Sequence, residues 1–215
     1  MKTNLSIAGI RKEYMLESLL EKDVKANPMQ QFSVWWDEAI KSEIDEVNAM
    51  TLATVGSSGK PSARIVLLKG YTDEGFVFFT NYLSHKGGEM DENPHVALVF
   101  FWKELERQIR IEGTVEKISE EDSDTYFNSR PQGSKIGSWA SPQSTPIAGR
   151  HIIEENVQKY TEKFSTERLT RPPHWGGYMV TPVKIEFWQG RSSRLHDRIQ
   201  YSLLGNEWNI ERLAP

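Results

Sequence analysis

Short apolar runs with the alternation, or the β-branched and aromatic composition, of strands dominate this sequence. Turn signals such as "GSSGKP" (56–61) and "TDEG" (72–75) separate neighbouring runs. Links this short favour antiparallel hairpins. The predicted strands cover residues 49–55, 63–71, 75–82, 95–102, 106–118, 177–190, 194–203 and 207–213.

Helical periodicity occurs between groups of these strands. Residues 25–44 carry an aromatic stripe, with Asn27 as a predicted N-cap and Pro28 at the first helical position. Because the helices do not alternate regularly with the strands, a doubly wound parallel sheet is not expected. The pattern predicts a mostly β, antiparallel barrel with flanking helices. The further predicted helices are a weak one over 84–94, one over 119–129 with Ser119 as its cap, and a clearer one over 147–164.

Composition narrows the class of protein. The chain has 215 residues, of which 38% are hydrophobic and 26% charged, as in a globular protein with a sizeable core. We expect no membrane association and a cytoplasmic location, because no apolar run approaches ~18 residues and no signal-peptide pattern is present. A net charge of −4 argues against a nucleic-acid partner. The absence of cysteine excludes a thiol nucleophile, a disulfide and an iron–sulfur cluster.

Common site motifs are missing from the sequence. There is no dinucleotide-binding G-x-G-x-x-G after a strand, no complete P-loop, no G-x-S-x-G elbow and no histidine spacing that predicts a metal site. The positive charge instead forms clusters: Arg64 with Lys69, His85 with Lys86, and the arginines at 191, 194 and 198. Such clusters in an acidic protein indicate small anionic ligands, and arginine and lysine suit phosphate.

The stretch "RLHDR" (194–198) is the clearest of these clusters. On the predicted strand, Arg194, His196 and Arg198 share one face at a spacing of about 7 Å. Three neighbouring cations repel one another, so the row favours an anionic ligand. Salt bridges to Asp197 are the structural alternative, and the local pattern leaves it open.

Other candidate positions also have a structural interpretation. Arg64 and Lys69 fit solvent-facing strand charges, and Gln108 fits the wet face of a half-buried strand. Tyr126 and Arg130 are four residues apart, which is also the spacing of a pair on a helix surface. Local pattern alone does not decide between these interpretations and ligand binding.

Taken together, the motifs resemble the pyridoxamine (pyridoxine) 5′-phosphate oxidase family. The resemblance runs nearly from end to end, and the whole set in this order is highly specific. The stretches that carry it are "RKEY" (11–14), "ARIVLLKG" (63–70), "FFTNYLSHKG" (78–87), "ERQIRIEG" (106–113), "YFNSRPQGSKIGSWASPQS" (126–144), "EFWQG" (186–190), "RLHDR" (194–198) and "ERLAP" (211–215).

This resemblance implies an antiparallel, FMN-binding split β-barrel. It implies a homodimer with one FMN at each of two sites along the subunit interface. The implied reaction oxidises pyridoxamine or pyridoxine 5′-phosphate to pyridoxal 5′-phosphate, by hydride transfer from C4′ to flavin N5, with O2 reduced to H2O2. The implied organisation is an N-terminal segment over 1–27, serving as a mobile lid, and a single split-barrel domain over 28–215.

The same resemblance implies the site residues, with Arg194 and His196 as the catalytic pair. It leaves open whether His196 acts as a base or only positions the substrate. The family often has a basic "SRK" where this chain has "SHK" (84–86). His85 therefore replaces an arginine, and histidine is only partly charged at pH 7. FMN would contact Arg64, Ile65, Val66, Leu67, Leu68, Lys69, Phe79, Thr80, His85, Lys86, Gln108, Gln143, Ser144, Trp188 and Arg198. The substrate would contact Arg11, Tyr14, Lys69, Tyr126, Arg130, Ser134, Arg194 and His196.

Two other functions fit the same barrel. One is a different split-barrel enzyme, such as a flavin or deazaflavin-dependent reductase. The apparent phosphate cluster of Tyr126, Arg130 and Ser134 argues against it. The other is a flavin- or pyridoxal-phosphate-binding protein without catalysis, which the presence of Arg194 and His196 disfavours.

Overall fold

The computed structural model of the protein describes residues 13–215, and Arg11 lies outside them. Within this range the chain forms five helices and nine strands, and none of these helices has the length and apolarity needed to cross a membrane. The helices are α1 (Pro28–Lys41), α2 (His85–Glu92), α3 (Glu120–Ser129), α4 (Gln132–Ala140) and α5 (His151–Thr166). The strands are β1 (Ala49–Val55), β2 (Pro61–Leu67), β3 (Gly70–Thr72), β4 (Gly75–Asn81), β5 (His95–Trp102), β6 (Arg107–Lys117), β7 (Trp175–Gln189), β8 (Asp197–Leu204) and β9 (Glu207–Arg212).

The strands pair in the order β2-β1-β5-β6-β7-β4-β3, and β8 joins β7 to β9. The pairs β1–β2, β3–β4, β4–β7, β7–β8 and β8–β9 are all antiparallel. Strand β7 pairs with β4 through its first half and with β8 through its second half. The prediction of a mostly β, antiparallel fold with flanking helices is therefore confirmed.

The chain divides into two compact units. The first combines the described residues up to Val47 with 99–111 and 184–215. Its core is aromatic and aliphatic, with Phe32, Ile109, Phe187 and Tyr201 fully buried. The second unit combines residues 48–98 and 112–183, and Leu52, Phe78, Leu98 and Val180 lie in its core.

Helix boundaries follow the capping signals closely. Asn27 caps α1 by accepting a hydrogen bond from the Met29 amide at 2.8 Å, and Ser119 caps α3 through the Asp122 amide at 3.0 Å. Helix α5 begins at His151, four residues later than expected, and α4 was not expected at all. The glycines and serines of "PQGSKIGSWA" have low helix propensity, whereas burial of Ile136 and Ala140 stabilises the helix.

Two predicted strands were wrong in their extent. The run expected over 63–71 splits, because β2 ends at Leu67 and the short β3 begins at Gly70. The run expected over 194–203 begins only at Asp197. Ser193 and Arg194 have φ angles of 56° and 61°, in a single 3₁₀ turn closed by the Leu195 amide on the Ser192 carbonyl. Arg194, His196 and Arg198 therefore do not form one row on a strand, since only Arg198 lies in β8.

Candidate functional site

Arg64 lies within a hydrogen-bonded cluster of the second unit. The β1–β2 register pairs Leu52 with Arg64 and Thr54 with Ser62. The guanidinium donates to Thr54 Oγ1 and Ser62 Oγ, both at 2.5 Å, and to Glu89 Oε2 at 3.2 Å. The cluster holds the Arg64 cation in one position on the strand.

Glu89 is the anion at the centre of this cluster, and it was not among the residues predicted from the sequence. It lies on α2, is only 8% exposed, and also accepts hydrogen bonds from Thr54 at 2.6 Å and Ser62 at 2.7 Å. Burial acts to raise the pKa of Glu89, but these hydroxyls, with smaller contributions from His85 and Arg64, hold the pKa below its usual value. The i,i+4 spacing from His85, whose Nδ1 lies 3.8 Å from Glu89 Oε2, is the only local signal in the sequence.

Lys86 brings together three of the predicted cofactor residues. Its ammonium group donates to Thr80 Oγ1 at 3.2 Å and to Gln143 Oε1 at 3.1 Å. Burial, followed by the charge of Arg64, lowers the pKa of Lys86. Ser144 follows Gln143 in the same loop, is exposed, and has a left-handed φ of 69°. Thr80, Lys86 and Gln143, three of the predicted FMN contacts, therefore lie together.

Arg130 lies beside a polar cavity of about 290 Å³. It follows the last residue of α3, donates to Ser138 Oγ at 2.5 Å, and lies over the Trp175 ring at 4.5 Å. Burial lowers the pKa of Arg130, although the Tyr126 phenol opposes the shift. The cavity is lined by Asn81, Arg130, Ser134, Gly137, Ser138, Ser141, Gln143 and Trp175.

Tyr126 lines a second, larger cavity of about 640 Å³ together with Lys69 and Phe79. Its ring stacks on Phe79 with 3.9 Å between ring centroids. Burial raises the pKa of Tyr126, and the charge of Arg130 acts against that shift. Four of the predicted substrate contacts are thus divided between two cavities, since Lys69 and Tyr126 line the larger one and Arg130 and Ser134 line the smaller one.

In the first unit, Arg198 pairs with a buried carboxylate. Its Nε and Nη2 groups donate to the two oxygens of Glu186 at 2.9 and 3.0 Å, and its Nη1 group donates to the Ala214 carbonyl at 2.8 Å. Glu186 is 5% exposed and also accepts from Arg110 at 3.2 Å. The β7–β8 register sets Arg198 opposite Trp188, and Gln108 is half-buried on β6, two residues from Arg110.

His196 lies in an aromatic group with Tyr14 and Trp188. The His196–Trp188 ring centroids are 4.5 Å apart, and the Tyr14 ring lies 5.8 Å from Trp188 and 6.0 Å from His196. Nδ1 of His196 accepts the Arg191 amide at 3.1 Å. Burial, and then the charge of Arg194, lowers the pKa of His196. Arg194 itself is exposed.

The run Ile65–Leu68 differs from the polar candidates. Ile65 is 64% exposed and Leu68 is buried, while Val66 and Leu67 are intermediate. Aliphatic side chains offer a ligand only apolar contact, so polar recognition by this run depends on its backbone groups.

Replacing Glu89 by alanine is expected to destabilise the protein by about 3 kcal/mol, because removing one partner of a buried ion pair leaves the other uncompensated. Chemical denaturation of the wild-type protein and of Glu89→Ala measures this change in the free energy of unfolding. Glu92→Ala on the same helix is the control. Glu92 is exposed and bonds the Ser57 amide and hydroxyl, so we expect a smaller loss. Equal losses from the two variants would contradict the central role of Glu89.

Solved structures with this arrangement of strands define the class. The chain superimposes on PhzG from Burkholderia lata, in complex with tetrahydrophenazine-1-carboxylic acid, with a TM-score of 0.87 and 29% identity over 93% of this chain and 99% of that one. A pyridoxamine 5′-phosphate oxidase-related, FMN binding protein from Nostoc punctiforme gives a TM-score of 0.70 at 18% identity, over 87% and 97% of the chains. The protein therefore has the split-barrel fold of these neighbours.

Comparison with related sequences identifies the family, which the fold alone does not. The family profile described as pyridoxamine 5′-phosphate oxidase matches residues 36–164, and that of the pyridoxine 5′-phosphate oxidase C-terminal dimerisation region matches 175–215. The chain is 55% identical over 211 residues to a pyridoxine/pyridoxamine 5′-phosphate oxidase of Cyanothece sp., covering 98% of this chain and 99% of that protein. For the corresponding oxidase 1 of Ralstonia nicotianae the identity is 56% at the same coverage. The chain belongs to the pyridoxamine 5′-phosphate oxidase family.

Proposed function

We propose that this protein oxidises pyridoxamine 5′-phosphate or pyridoxine 5′-phosphate to pyridoxal 5′-phosphate, with FMN as its cofactor and O2 as the electron acceptor. The observation that carries the proposal is the cavity lined by Arg130, Ser134 and Ser138, in which Arg130 donates to the Ser138 hydroxyl. A partly buried guanidinium beside neutral donors suits a phosphomonoester. When bound, FMN accepts a hydride and passes the electrons to oxygen, which yields H2O2.

The second unit offers a fitting site for the flavin phosphate. Arg64 is held by Glu89, and Lys86 converges with Thr80 and Gln143. A phosphomonoester carries a charge of about −1.5 to −2 at pH 7, which Arg64 and Lys86 offset in part, because Glu89 neutralises one of the two positive charges. In this proposal, Lys86 exchanges the Gln143 oxygen for a phosphate oxygen, and His85 adds a further cation when protonated.

The first unit offers groups for the flavin ring. Three of the five N–H donors of Arg198 are engaged by Glu186 and Ala214, which leaves two for the N1–C2=O edge. A cation at that edge stabilises the charge that develops on reduction. Trp188 and Gln108 supply an aromatic surface and an amide. In the second unit, the backbone of residues 65–68, with Phe79 and Ser144, completes the proposed set of cofactor contacts.

For His196 the geometry favours positioning over general-base catalysis. Because Nδ1 accepts the Arg191 amide, the neutral ring carries its proton on Nε2. His196 then donates a hydrogen bond to the substrate and holds C4′ towards flavin N5, while Arg194 and Tyr14 orient the substrate beside it. Lys69 and Tyr126 are the further proposed substrate contacts.

The lowered pKa of His196 predicts a pH-dependent stability. The unfolded histidine titrates near its ordinary pKa of about 6.5, whereas the folded ring resists protonation. Its contribution is therefore complete above about pH 6.5 and is lost as the pH falls through the lower folded value. Urea unfolding of the wild-type protein and of His196→Asn between pH 5 and 8 measures this difference. A difference independent of pH would contradict the assignment.

Assembly into a homodimer is part of the proposal. The match of residues 175–215 to the dimerisation region of the family supports it. Within residues 13–215, the apolar side chains of Ile65, Leu83 and Phe101 are 64%, 77% and 54% exposed. Large exposed apolar groups mark surfaces that a partner covers.

Anaerobic mixing of the purified, flavin-loaded protein with pyridoxine 5′-phosphate tests the function. An oxidase bleaches its flavin with this substrate and produces H2O2 when air is admitted. A split-barrel reductase bleaches only with a nicotinamide donor, and a binding protein bleaches with neither. Mass spectrometry of the released cofactor distinguishes FMN from other flavins. No bleaching by either phosphorylated vitamer overturns the proposal.

A further inference from the structure

Residues 14–21 form a segment without helix or strand, and its backbone is bound by charged side chains from distant parts of the first unit. Glu106 holds one end, because its Oε2 atom accepts the amides of Met15 at 2.8 Å and Leu16 at 3.2 Å. Glu106 is only 3% exposed and has a left-handed φ of 55°. A buried carboxylate is costly unless it is hydrogen-bonded, and the two amides meet part of that need.

Asp197 and Arg212 hold the other end of the segment. Asp197 Oδ2 accepts the Leu19 amide at 3.1 Å, and Arg212 Nη2 donates to the Leu19 carbonyl at 2.8 Å. The two side chains pair with each other at 2.7 Å, and Arg212 also binds both oxygens of Glu21. The Leu19 side chain between these bonds is buried, at 5% exposed.

The segment of residues 14–21 places Tyr14 beside His196, a proposed substrate contact. Tyr14 directly precedes Met15, and its ring lies against Trp188 and His196. Gly190 makes room for it, since a β-carbon at this position would lie 2.7 Å from Tyr14 Cγ. The backbone beside Tyr14 is thus held by Glu106, whereas its ring contacts Trp188 and His196.

We propose that Glu106, Asp197 and Arg212 form an N-terminal latch that positions Tyr14 over His196 and thereby sets the affinity for the phosphorylated substrate. This inference rests on the proposed function. The latch residues are positioning residues. If the latch is weakened, the segment spends more time away from His196, and the apparent affinity falls with the fraction of molecules in the bound arrangement.

Hydrogen–deuterium exchange of the flavin-loaded protein, combined with steady-state kinetics, tests the latch. The main variant is Glu106→Gln, which preserves size and removes the charge. Its matched control is Glu104→Gln, an exposed glutamate on the same turn. Gly190→Ala is a second variant, because it displaces the Tyr14 ring and leaves all three latch side chains in place.

In Glu106→Gln, we expect exchange in residues 14–20 to quicken about tenfold and KM for pyridoxine 5′-phosphate to rise by about the same factor, as for one charge-assisted hydrogen bond. We expect kcat to change less than twofold and flavin content to stay unchanged. Gly190→Ala should raise KM with little change in exchange at Met15 and Leu16, and Glu104→Gln should change neither quantity.

Two results overturn the latch while the proposed function stands: unchanged exchange in Glu106→Gln, or faster exchange with an unchanged KM. Absence of turnover in the wild-type protein overturns the proposed function and with it the claim on affinity. The wild-type assay therefore separates a failure of the function from a failure of the latch.

Discussion

Replacing Arg198 by leucine is expected to destabilise the protein by about 3 kcal/mol and also to weaken flavin binding. Arg198 bonds both oxygens of Glu186, which is 5% exposed, so its loss leaves a buried carboxylate short of a partner. The weakening of flavin binding corresponds to one charge-assisted hydrogen bond, about 1.5–3 kcal/mol. Chemical denaturation of the flavin-free protein measures the first effect, and flavin titration measures the second.

Arg110→Leu is the matched control, because Arg110 binds the same carboxylate from a more exposed position. The Arg110 side chain is 45% exposed, against 25% for Arg198, and it contacts one oxygen of Glu186 at 3.2 Å. We expect a small loss of stability and nearly normal flavin affinity. If both variants lose flavin equally, Arg198 acts only through the Glu186 ion pair and has no contact of its own with the flavin.

Replacing Arg130 by methionine is expected to raise KM for pyridoxine 5′-phosphate about a hundredfold. The guanidinium lines the cavity that contains Ser134, and a charge-assisted pair with phosphate contributes about 1.5–3 kcal/mol. Methionine retains an apolar stem to pack near Trp175. Flavin content should not change, since Arg64 and Lys86 remain. Steady-state kinetics at constant flavin occupancy measure the effect.

The control for this variant is Lys135→Met, which removes a half-buried cation next to Ser134 in the sequence. Lys135 contacts the Asn128 carbonyl at 3.4 Å and does not line the cavity. Its loss should leave KM within about twofold, because its side chain does not line the cavity. A similar rise in KM for both variants would indicate a general effect of positive charge, and would contradict a specific phosphate contact at Arg130.

The stretch "RLHDR" shows where sequence periodicity stops being informative. Alternation predicted one strand face for Arg194, His196 and Arg198, but the strand begins at Asp197. Two hydrogen bonds close a turn just before this strand. The Leu195 amide donates to the Ser192 carbonyl, and the Arg191 amide donates to His196 Nδ1. The alternative involving Asp197 proved important in a different form, because this carboxylate pairs with Arg212 and binds the Leu19 amide. Arg212 and Leu19 lie far from Asp197 along the chain, so no pattern within these five residues could predict the contacts.

Local sequence features were enough to predict the antiparallel β class, the capped starts of α1 and α3, and the family. These properties depend on local spacing, which a chain shows without being folded. Three pairings instead depend on the folded chain: Glu89 with Arg64, Glu186 with Arg198, and Glu106 with the backbone at Met15. Glu186 and Arg198 are 12 residues apart along the chain, and Glu106 and Met15 are 91 residues apart. Which carboxylates become buried ion-pair partners depends on strand register and on turns, and those are set by packing of the whole core.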